Sequence, residues 1–436
     1  MPFWEILQDI CFILLTIMGL CYAYQFLYVL LPLLFHRKWD AHRTHVALSP
    51  TIRGIAILIA ARNEENVLPH LLRSIENQST PFSLSDVYVV ADNCTDATAK
   101  TAADTGAKVF QRQDTTKVGK GYALDWLISQ MQTQGTYDRY DGFLVLDADN
   151  LLSPDYIQKM QQVFAQTDED GAPKYGIVTG YRNAKNFGQS WLTAGYGLWF
   201  LHDSGHLNRS RHQLGLCCTL SGTGFCVRRS LLDQWGGWAF HTLTEDLECT
   251  AHIITENNTT IGYCHDAVLY DEQPVDFRQS IRQRIRWAQG GIQVSLRYGP
   301  AYLRRLSHKT RLRQWLSCLE NCTLSLWGYG AMTLVTLLNL CCCAMLLKPQ
   351  HLVCTLLLSC IGFLVTGWCL GIATVATEGT RIHSTKGEIL RGVLAFPLFL
   401  ASFAVSVALA LVTPRQWKPI RHTEAVSLDK VLTKTT

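Results

Sequence analysis

The sequence predicts an α/β domain built on a parallel sheet and joined to α-helical transmembrane segments. Between Arg53 and Gln162, short apolar runs alternate with amphipathic stretches, a pattern typical of strands that helices cover on both faces. Elsewhere, long segments carry no charged side chain, and charged residues make up only 17% of the 436 residues. A helix needs about 20 apolar residues to cross a bilayer, and these segments are long enough.

The charge-free segments divide the chain into four regions. The charge-free segments are residues 11–35, 321–347, 352–377 and 392–413. We therefore predict an N-terminal transmembrane helix in 1–36, a globular domain with interfacial helices at its C-terminal end in 37–315, three transmembrane helices in 316–413, and a short basic tail in 414–436.

The charges around the first apolar segment predict its orientation. An acidic pair precedes it, and Arg37, Lys38 and Arg43 follow it. Because basic residues favour the cytoplasmic side, we expect a multi-pass protein of the cell membrane with the large domain in the cytosol. Three further crossings would place the tail outside the cytosol. The alternative is a re-entrant segment, which would be the one that contains Pro397.

A basic stretch leads into the second apolar segment. Between Asp276 and Trp315 there are ten Lys or Arg residues and a single acid. No aromatic pattern or motif supports nucleic-acid binding, so the sequence predicts no nucleic-acid partner. We interpret the stretch as a face that meets anionic membrane lipids. The cysteines of the middle domain form no C-x-x-C pair, which indicates neither a zinc site nor a disulfide framework.

The predicted elements bring several polar residues to one edge of the sheet. We expect strands over 55–60, 87–91, 108–111 and 143–147, with helices over 64–78, 96–105 and 122–131. Parallel sheets bind ligands at the carboxyl ends of their strands. The residues at those ends are Asn63, Glu64, Asp92, Asn93, Asp147 and Asp149.

Asp147 and Asp149 follow the apolar strand 143–147 in a D-x-D pattern. Two carboxylates at a strand end can share a divalent cation, which prefers oxygen ligands. Such a cation would neutralise a diphosphate leaving group. The alternative is a solvated turn that happens to carry two acids.

Asp92 and the turn Lys117–Gly121 are candidates for nucleotide binding. A carboxylate at Asp92 could accept a hydrogen bond from the imide N–H of uracil, although it could also cap the next helix. The turn contains Lys120 and two glycines before a helix, so its backbone could approach phosphate. It lacks the spacing of a Walker A loop, and a solvated loop is an equally good interpretation.

Two downstream clusters could act on an acceptor. The acids of Thr244-Glu245-Asp246 could supply a general base or could be ordinary surface charges. On a helix, Gln283, Arg286 and Trp287 share one face, which offers an amide, a guanidinium group and an aromatic plate. An interfacial helix would carry the same residue types.

The order of these motifs resembles the D, D-x-D, T/E-D, Q-x-x-R-W signature of processive family-2 inverting glycosyltransferases, such as cellulose, chitin and hyaluronan synthases. The resemblance covers residues 53–300 and extends to a membrane layout similar to that of nodulation chitooligosaccharide synthases. It implies a Rossmann-like GT-A domain, a UDP-sugar donor and Mn²⁺ or Mg²⁺ as cofactor. The turn that begins at Ala60 departs from the family, since many relatives have Pro there.

The resemblance also implies roles for individual residues. They are Asp246 as general base; Asn63, Glu64, Asp92, Lys120, Asp147 and Arg286 at the donor; Asp149, assisted by Asp147, at the metal; and Gly222, Gln283 and Trp287 at the acceptor.

Three functions follow from these observations. The favoured one is processive synthesis of a polysaccharide, with a growing glycan as acceptor and an export partner protein, because the chain has few helices for a channel of its own. The alternative is transfer of one sugar to a membrane lipid such as diacylglycerol or a polyprenyl phosphate. A non-catalytic transporter or scaffold is the third, and the clustered carboxylates argue against it.

Overall fold

Eight strands form one mixed sheet at the centre of the protein. The structure, a computed structural model, describes residues 3–41, 54–257, 259–308, 310–346, 349–414, 422 and 424–433. The strands are β1 (Ile55–Ala61), β2 (Val87–Asp92), β3 (Lys108–Arg112), β4 (Gly142–Asp147), β5 (Leu151–Leu152), β6 (Ile177–Ala184), β7 (Phe225–Arg228) and β8 (Ile261–Asp271). Their order in the sheet is β3-β2-β1-β4-β7-β6-β8-β5.

Sixteen α-helices are found among the described residues. Those before and within the sheet domain are α1 (Phe3–Tyr22), α2 (Tyr24–Ala41), α3 (Leu68–Glu76), α4 (Thr98–Asp104), α5 (Lys120–Thr133), α6 (Tyr156–Phe164), α7 (Trp191–His202), α8 (Arg209–Leu214), α9 (Arg229–Trp235) and α10 (Glu245–Glu256). Those that follow are α11 (Phe277–Ser307), α12 (Leu312–Thr323), α13 (Leu326–Leu346), α14 (Pro349–Glu378), α15 (Lys386–Val412) and α16 (Leu428–Leu432).

The structure confirms the predicted fold class, and it adds antiparallel strands in the second half. Strands β1 to β4 are parallel, as the alternation of apolar runs and helices indicated. Strand β7 runs antiparallel to both β4 and β6, and β5 runs antiparallel to β8. The sheet is therefore mixed rather than wholly parallel.

Alternate residues of the central strand face two separate apolar layers. In β1, Ala56 and Leu58 pack with Leu124 and Leu127 of α5 on one face of the sheet. Ile57 and its neighbours at 55 and 59 pack on the opposite face, against α3. Because successive side chains of a strand point to opposite faces, a strand buried on both sides must be apolar throughout.

The strand register places polar residues side by side. Ala60 pairs with Asp147 across β1 and β4, and Ala61 pairs with Ala91 across β1 and β2. Asp92 pairs with Arg112 across β2 and β3. The carboxyl ends of these four strands therefore meet at one edge of the sheet.

Three helical segments are long and apolar enough to cross a membrane. They are Phe3–Phe35, Gln350–Arg381 and Lys386–Val412, and Gly330–Leu346 is a shorter apolar helix. In the first two, only 6% of the apolar window is buried within the protein, whereas 39% is buried in the third. The third segment, α15, is thus the one that packs most extensively against the rest of the chain.

Helix α15 lies along the sheet domain. Phe399 fills the space beside Gly195 of α7, and Arg284 of α11 donates a hydrogen bond to Ser402 at 2.5 Å. Near the end of α15, Gln289 of α11 donates to the carbonyl oxygen of Thr413 at 2.9 Å. The middle and the C-terminal end of this helix therefore contact the same domain.

The described tail residues also contact the sheet domain. His422 Nδ1 lies 2.9 Å from Glu64 Oε1, and Val431 packs against Leu151 and Tyr270 at the edge of the sheet. The expectation that the residues after 414 lie across a membrane from the domain is wrong for this described part of the tail. The contacts agree instead with the alternative in which the segment that contains Pro397 does not cross.

This arrangement predicts which positions are accessible from the same side. A cysteine at Ala425, which is exposed in the tail, should react with a membrane-impermeant maleimide on the side where a cysteine at the exposed Asp170 of the sheet domain reacts. A cysteine at Gln350, at the start of α14, should react from the other side. Peptide mass spectrometry would separate these sites from the sixteen native cysteines. If the cysteines introduced at Ala425 and Gln350 were labelled from the same side, the arrangement would be contradicted.

Candidate functional site

A cavity of about 620 Å³ lies at the carboxyl ends of the central strands. It is lined by residues from the sheet, from α5, α10 and α11, and from the tail. The predicted site residues that it brings together are Glu64, Asp92, Lys120, Asp147, Asp149, Gly222, Asp246, Gln283, Arg286 and Trp287.

Asn63 is the predicted site residue that the structure places off the cavity wall. Its backbone has a positive φ of 59°, and its side-chain oxygen accepts a hydrogen bond from the N–H of Thr95 at 2.8 Å. Asn tolerates this left-handed conformation better than most residues. Asn63 thus ties the turn after β1 to the turn after β2, and it is placed to position its neighbours.

Asp92 is held in place by a buried arginine. Arg112 NH1 donates to Asp92 Oδ1 at 2.6 Å, and Asn93 Nδ2 donates to the same oxygen at 3.1 Å. Both partners of the ion pair are almost fully buried. These contacts use Oδ1, and the residue lines the cavity.

Asp147 is paired with a lysine at the start of α5. Lys120 donates to Asp147 Oδ1 and, at 2.6 Å, to the carbonyl oxygen of Gly222. The backbone N–H of Asp147 donates to Thr223 Oγ1 at 2.9 Å. Lysine, carboxylate and glycine turn therefore form one hydrogen-bonded unit that joins β4 to the turn before β7.

Asp149 is more deeply buried than Asp147, and its neighbours come from distant parts of the chain. Its Oδ2 accepts a hydrogen bond from the N–H of Glu272 at 2.9 Å. Burial acts to raise the pKa of Asp149, but His422 and Lys185 outweigh it and hold the pKa below its usual value. Asp149 is therefore ionised at neutral pH.

His422 enters the site from the tail, and sequence reasoning missed it. Its Nε2 lies 4.0 Å from Asp149 Oδ2, while its Nδ1 contacts Glu64. Burial lowers the pKa of this imidazole, but the charge of Asp149 and the contact with Glu64 raise it to about 10. A lone histidine far down a basic tail gave no sequence signal of this placement.

The carboxylates of the D-x-D turn suit a divalent cation whose remaining ligands would be oxygen atoms of a bound diphosphate and waters. Asp147 and Asp149 both line the cavity and offer hard oxygen atoms. Among the described residues, no three His, Cys, Asp or Glu side chains already form a metal-binding group. Two carboxylates are sufficient where phosphate oxygens and waters complete the coordination, as is usual for Mg²⁺.

A further ion pair lines the cavity, and the sequence did not predict it. Arg182 of β6 donates to Asp271 of β8, with 2.8 Å between Nε and Oδ2, and it also donates to the carbonyl oxygen of Ser221. The guanidinium group lies 3.9 Å from the ring centre of Phe200. Arg182 and Asp271 lie on adjacent strands but are far apart in the sequence, so no local sequence pattern could have predicted that they pair.

Glu245 and Asp246 form the acidic end of α10. Burial, followed by the neighbouring charge of Asp246, raises the pKa of Glu245 to about 7. Burial also raises the pKa of Asp246. A side chain added at Gly222 would come within 3.6 Å of Asp246 Oδ2, so the glycine turn lies directly beside this carboxylate. Two carboxyls with raised pKa values in one cavity are suited to proton transfer near neutral pH.

Helix α11 presents different residues to the cavity and to α15. Gln283, Arg286 and Trp287 line the cavity, as their spacing on one helical face predicted. Arg284, two residues before Arg286, is buried against α15 and packs over the rings of Phe399 and Phe403. The same short motif therefore faces the site and anchors the apolar helix.

A close backbone approach fixes α11 against α10. A Cβ atom added at Gly290 would lie 2.3 Å from Thr244 Oγ1 and would have to displace it. Only glycine permits this separation between the helix that carries Trp287 and the one that carries Asp246, and both residues line the cavity. Trp287 is further fixed by edge-to-face contacts with Tyr196 and Phe200.

The cavity extends from the carboxylates to the apolar helices. Its wall includes Tyr24 and Gln25 of α2, Leu324 after α12, Leu370 of α14 and Phe403 of α15. One continuous space therefore connects the ends of the β-strands with side chains of the candidate membrane spans.

Comparison with known protein families gives one match. Residues 52–290, more than half of the chain, match the family described as "Glycosyltransferase like family 2". The matched region contains all eight strands and every predicted site residue.

Several curated relatives share the same region. A beta-monoglucosyldiacylglycerol synthase of Nostoc sp. is 31% identical over 253 residues, which cover 56% of this chain and 50% of the relative. A poly-beta-1,6-N-acetyl-D-glucosamine synthase of Staphylococcus epidermidis is 27% identical over 255 residues, covering 56% of each chain. The chain thus spans about half the length of the curated relatives that it matches.

One solved structure is similar over nearly the whole chain. It is a mannosyltransferase from Pyrobaculum calidifontis in complex with GDP-Man and Mn²⁺, with a TM-score of 0.52 and 18% sequence identity. The similarity covers 92% of this chain and 99% of the other. At this identity it establishes a shared fold.

The raised carboxyl pKa values predict how activity depends on pH. If a carboxyl of α10 must accept a proton, kcat/KM should fall as the pH drops through about 7, because the carboxyl is then protonated. Glu245→Gln removes the carboxyl whose pKa is about 7, so the acidic limb should move to a lower pH. The pH profiles of both proteins would be measured with saturating donor, and an unchanged limb would contradict the assignment.

Proposed function

Since this chain belongs to the glycosyltransferase-like family 2, we propose that it transfers one sugar from a nucleotide-sugar donor to a hydroxyl group of a membrane lipid. The donor is a UDP-sugar, and a divalent cation, Mn²⁺ or Mg²⁺, assists. The enzyme is a multi-pass protein of the cell membrane whose sheet domain faces the cytosol, as the basic residues after the first apolar segment support.

The continuous cavity is the observation that carries this proposal. At one end it contains the carboxylates of β2, β4 and α10, which suit a nucleotide, a cation and a general base. At the other end it reaches Leu370 and Phe403, which belong to apolar helices. A lipid can insert its chains between such helices while its head group enters the cavity. The similarity to a beta-monoglucosyldiacylglycerol synthase agrees with this choice of acceptor.

The donor is proposed to bind across the ends of β2 and β4. The second carboxylate oxygen of Asp92 accepts a hydrogen bond from the imide N–H of uracil, while Arg112 holds the carboxylate in place. Lys120, which pairs with Asp147, turns toward the diphosphate, and Arg286 approaches it from α11. Asp147 and Asp149 would hold the cation, which supplies positive charge that stabilises the leaving diphosphate.

The transfer step uses Asp246 as general base. Asp246 removes the proton from the acceptor hydroxyl as its oxygen forms a bond to the anomeric carbon of the sugar. The bond between that carbon and the diphosphate oxygen breaks, and the nucleoside diphosphate leaves with the electron pair. Displacement from the opposite face inverts the anomeric configuration, as the resemblance to inverting enzymes implies. Arg182 and Asp271 fix the turn of Ser221 and Gly222 beside the base.

The cation assignment can be tested through binding as well as activity. Asp149→Asn should weaken Mn²⁺ binding in the presence of UDP by at least about 100-fold, because it removes a charged ligand. Electron paramagnetic resonance of free Mn²⁺ would measure the affinity, and EDTA should abolish wild-type turnover. Asp138→Asn, which removes an exposed carboxylate of the same type, should change neither. Full turnover in EDTA would contradict the assignment.

A processive polysaccharide synthase is the second candidate. Trp287 supports it, because an indole held by Tyr196 and Phe200 could stack on a sugar ring of a growing chain. The similarity to a poly-beta-1,6-N-acetyl-D-glucosamine synthase points the same way. This candidate would also require a glycan acceptor and a partner for export.

Replacing Trp287 distinguishes the two candidates. In a lipid glycosyltransferase, Trp287→Ala should raise the acceptor KM roughly tenfold while every product still carries one sugar, since aromatic stacking contributes about 1–3 kcal/mol. In a processive enzyme, the same change should shorten the products. Mass spectrometry of the products and the membrane yield of the mutant would be measured together. Long glycans from the wild type would remove the lipid proposal.

A further inference from the structure

The cavity wall contains a carboxylate that the proposed transfer step does not use. Asp203 begins a π-helical turn, Asp203–Asn208, between α7 and α8, and it lines the cavity together with Arg211 and Gln25. Turns of π-helix are uncommon, and they are frequent at functional sites. A π-helical turn on the cavity wall is therefore a candidate for ligand contacts.

The other polar side chains of this turn each have a hydrogen-bond partner. Ser204 Oγ donates to the carbonyl oxygen of Arg182 at 3.2 Å, and His206 Nε2 lies 2.8 Å from Thr377 Oγ1 of α14. Asn208 Nδ2 donates to the carbonyl oxygen of Thr219 at 3.0 Å. These contacts fix the turn against the sheet and against α14.

Asp203 itself differs from these neighbours. Its carboxylate has no hydrogen-bond partner among the residues that the structure describes. Burial raises the pKa of Asp203, and the charges of Arg211 and Arg182 oppose that rise. A half-buried acceptor that faces a cavity and lacks a donor is a group that a ligand can satisfy.

The cations near Asp203 are already neutralised. Arg211 pairs with Glu320 of α12, with 2.7 Å between NH2 and Oε1, and both side chains are buried. Arg182 pairs with Asp271 on the other side. The charge balance around Asp203 is thus negative, which disfavours an anionic ligand such as a phosphate.

We infer that the cavity wall at Asp203 is a subsite for the head group of the acceptor, that Asp203 accepts a hydrogen bond from one of its hydroxyls, and that the acceptor is a neutral lipid rather than a lipid phosphate. This inference rests on the proposed function. Asp246 acts on the hydroxyl that reacts, so Asp203 binds a second hydroxyl or orients the first. Asp203 is accordingly a specificity residue that contacts the acceptor and not the donor.

The experiment compares acceptors and variants in one assay. The purified full chain in mixed micelles would receive a UDP-sugar with diacylglycerol, a monoglycosyl diacylglycerol, a polyprenyl phosphate or a soluble oligosaccharide. Asp203→Asn should raise the KM for the preferred neutral lipid about tenfold, the usual loss for a hydrogen bond to a charged group. The donor KM should change less than about twofold. The wild type should use the polyprenyl phosphate poorly, and Asp203→Asn should use it better.

Two controls keep the result interpretable. Asp104→Asn, on the exposed end of α4, should leave every acceptor KM unchanged. Asp203→Glu keeps the charge but moves the carboxylate, so it should raise the KM for the neutral lipid and still reject the polyprenyl phosphate. Melting temperatures of all variants would show whether the fold is retained.

The outcomes separate this inference from the proposed function. If the wild type glycosylates a neutral lipid but Asp203→Asn and Asp203→Glu leave the acceptor KM unchanged, the inference fails and the lipid function stands. Preference of the wild type for the polyprenyl phosphate would overturn the argument from charge. If only the oligosaccharide is extended, the proposed lipid function fails, and the inference fails with it.

Discussion

The concentration of negative charge at one edge of the sheet is the constraint on which the rest of the site depends. Carboxylates with unit charge repel one another strongly where water is scarce. The structure answers this repulsion with a dedicated cation for several of them: Arg112 for Asp92, Lys120 for Asp147, and Arg182 for Asp271. Each cation also donates to a nearby main-chain or side-chain oxygen, so the same bonds that neutralise charge fix the loops.

The acids that lack such a partner are the informative ones. Glu245 and Asp246 form no ion pair among the described residues, and burial raises the pKa values of both. Asp203, which also lines the cavity, is a third case. A cavity that neutralises some carboxylates and leaves others available can bind a metal diphosphate and also move protons or hold hydroxyls.

The sequence predicted the first half of the sheet because the information there is local. Strands β1, β2 and β4 are short apolar runs, and the observed bounds of β1 to β4 differ from the expected ones by one residue or less at each end. The site residues at the ends of these strands were predictable for the same reason. By contrast, Arg182, Asp271 and His422 reach the site through contacts between distant parts of the chain, and Asp203 depends on a π-helical turn. Helix α15 has the composition of a membrane span, and composition alone cannot distinguish burial against α7 and α11 from burial in lipid.

The position of α15 also determines how an acceptor would reach the enzyme. One side of the helix packs against the sheet domain, and the other exposes large apolar residues such as Leu394, Leu398 and Val405. In a bilayer, a helix packed in this way would hold the cavity at a fixed depth beside the lipid. For an acceptor that is itself a lipid, encounter becomes a two-dimensional search, and the relevant concentration is the mole fraction within the bilayer. Dilution with inert phospholipid, rather than with buffer, would then slow the reaction.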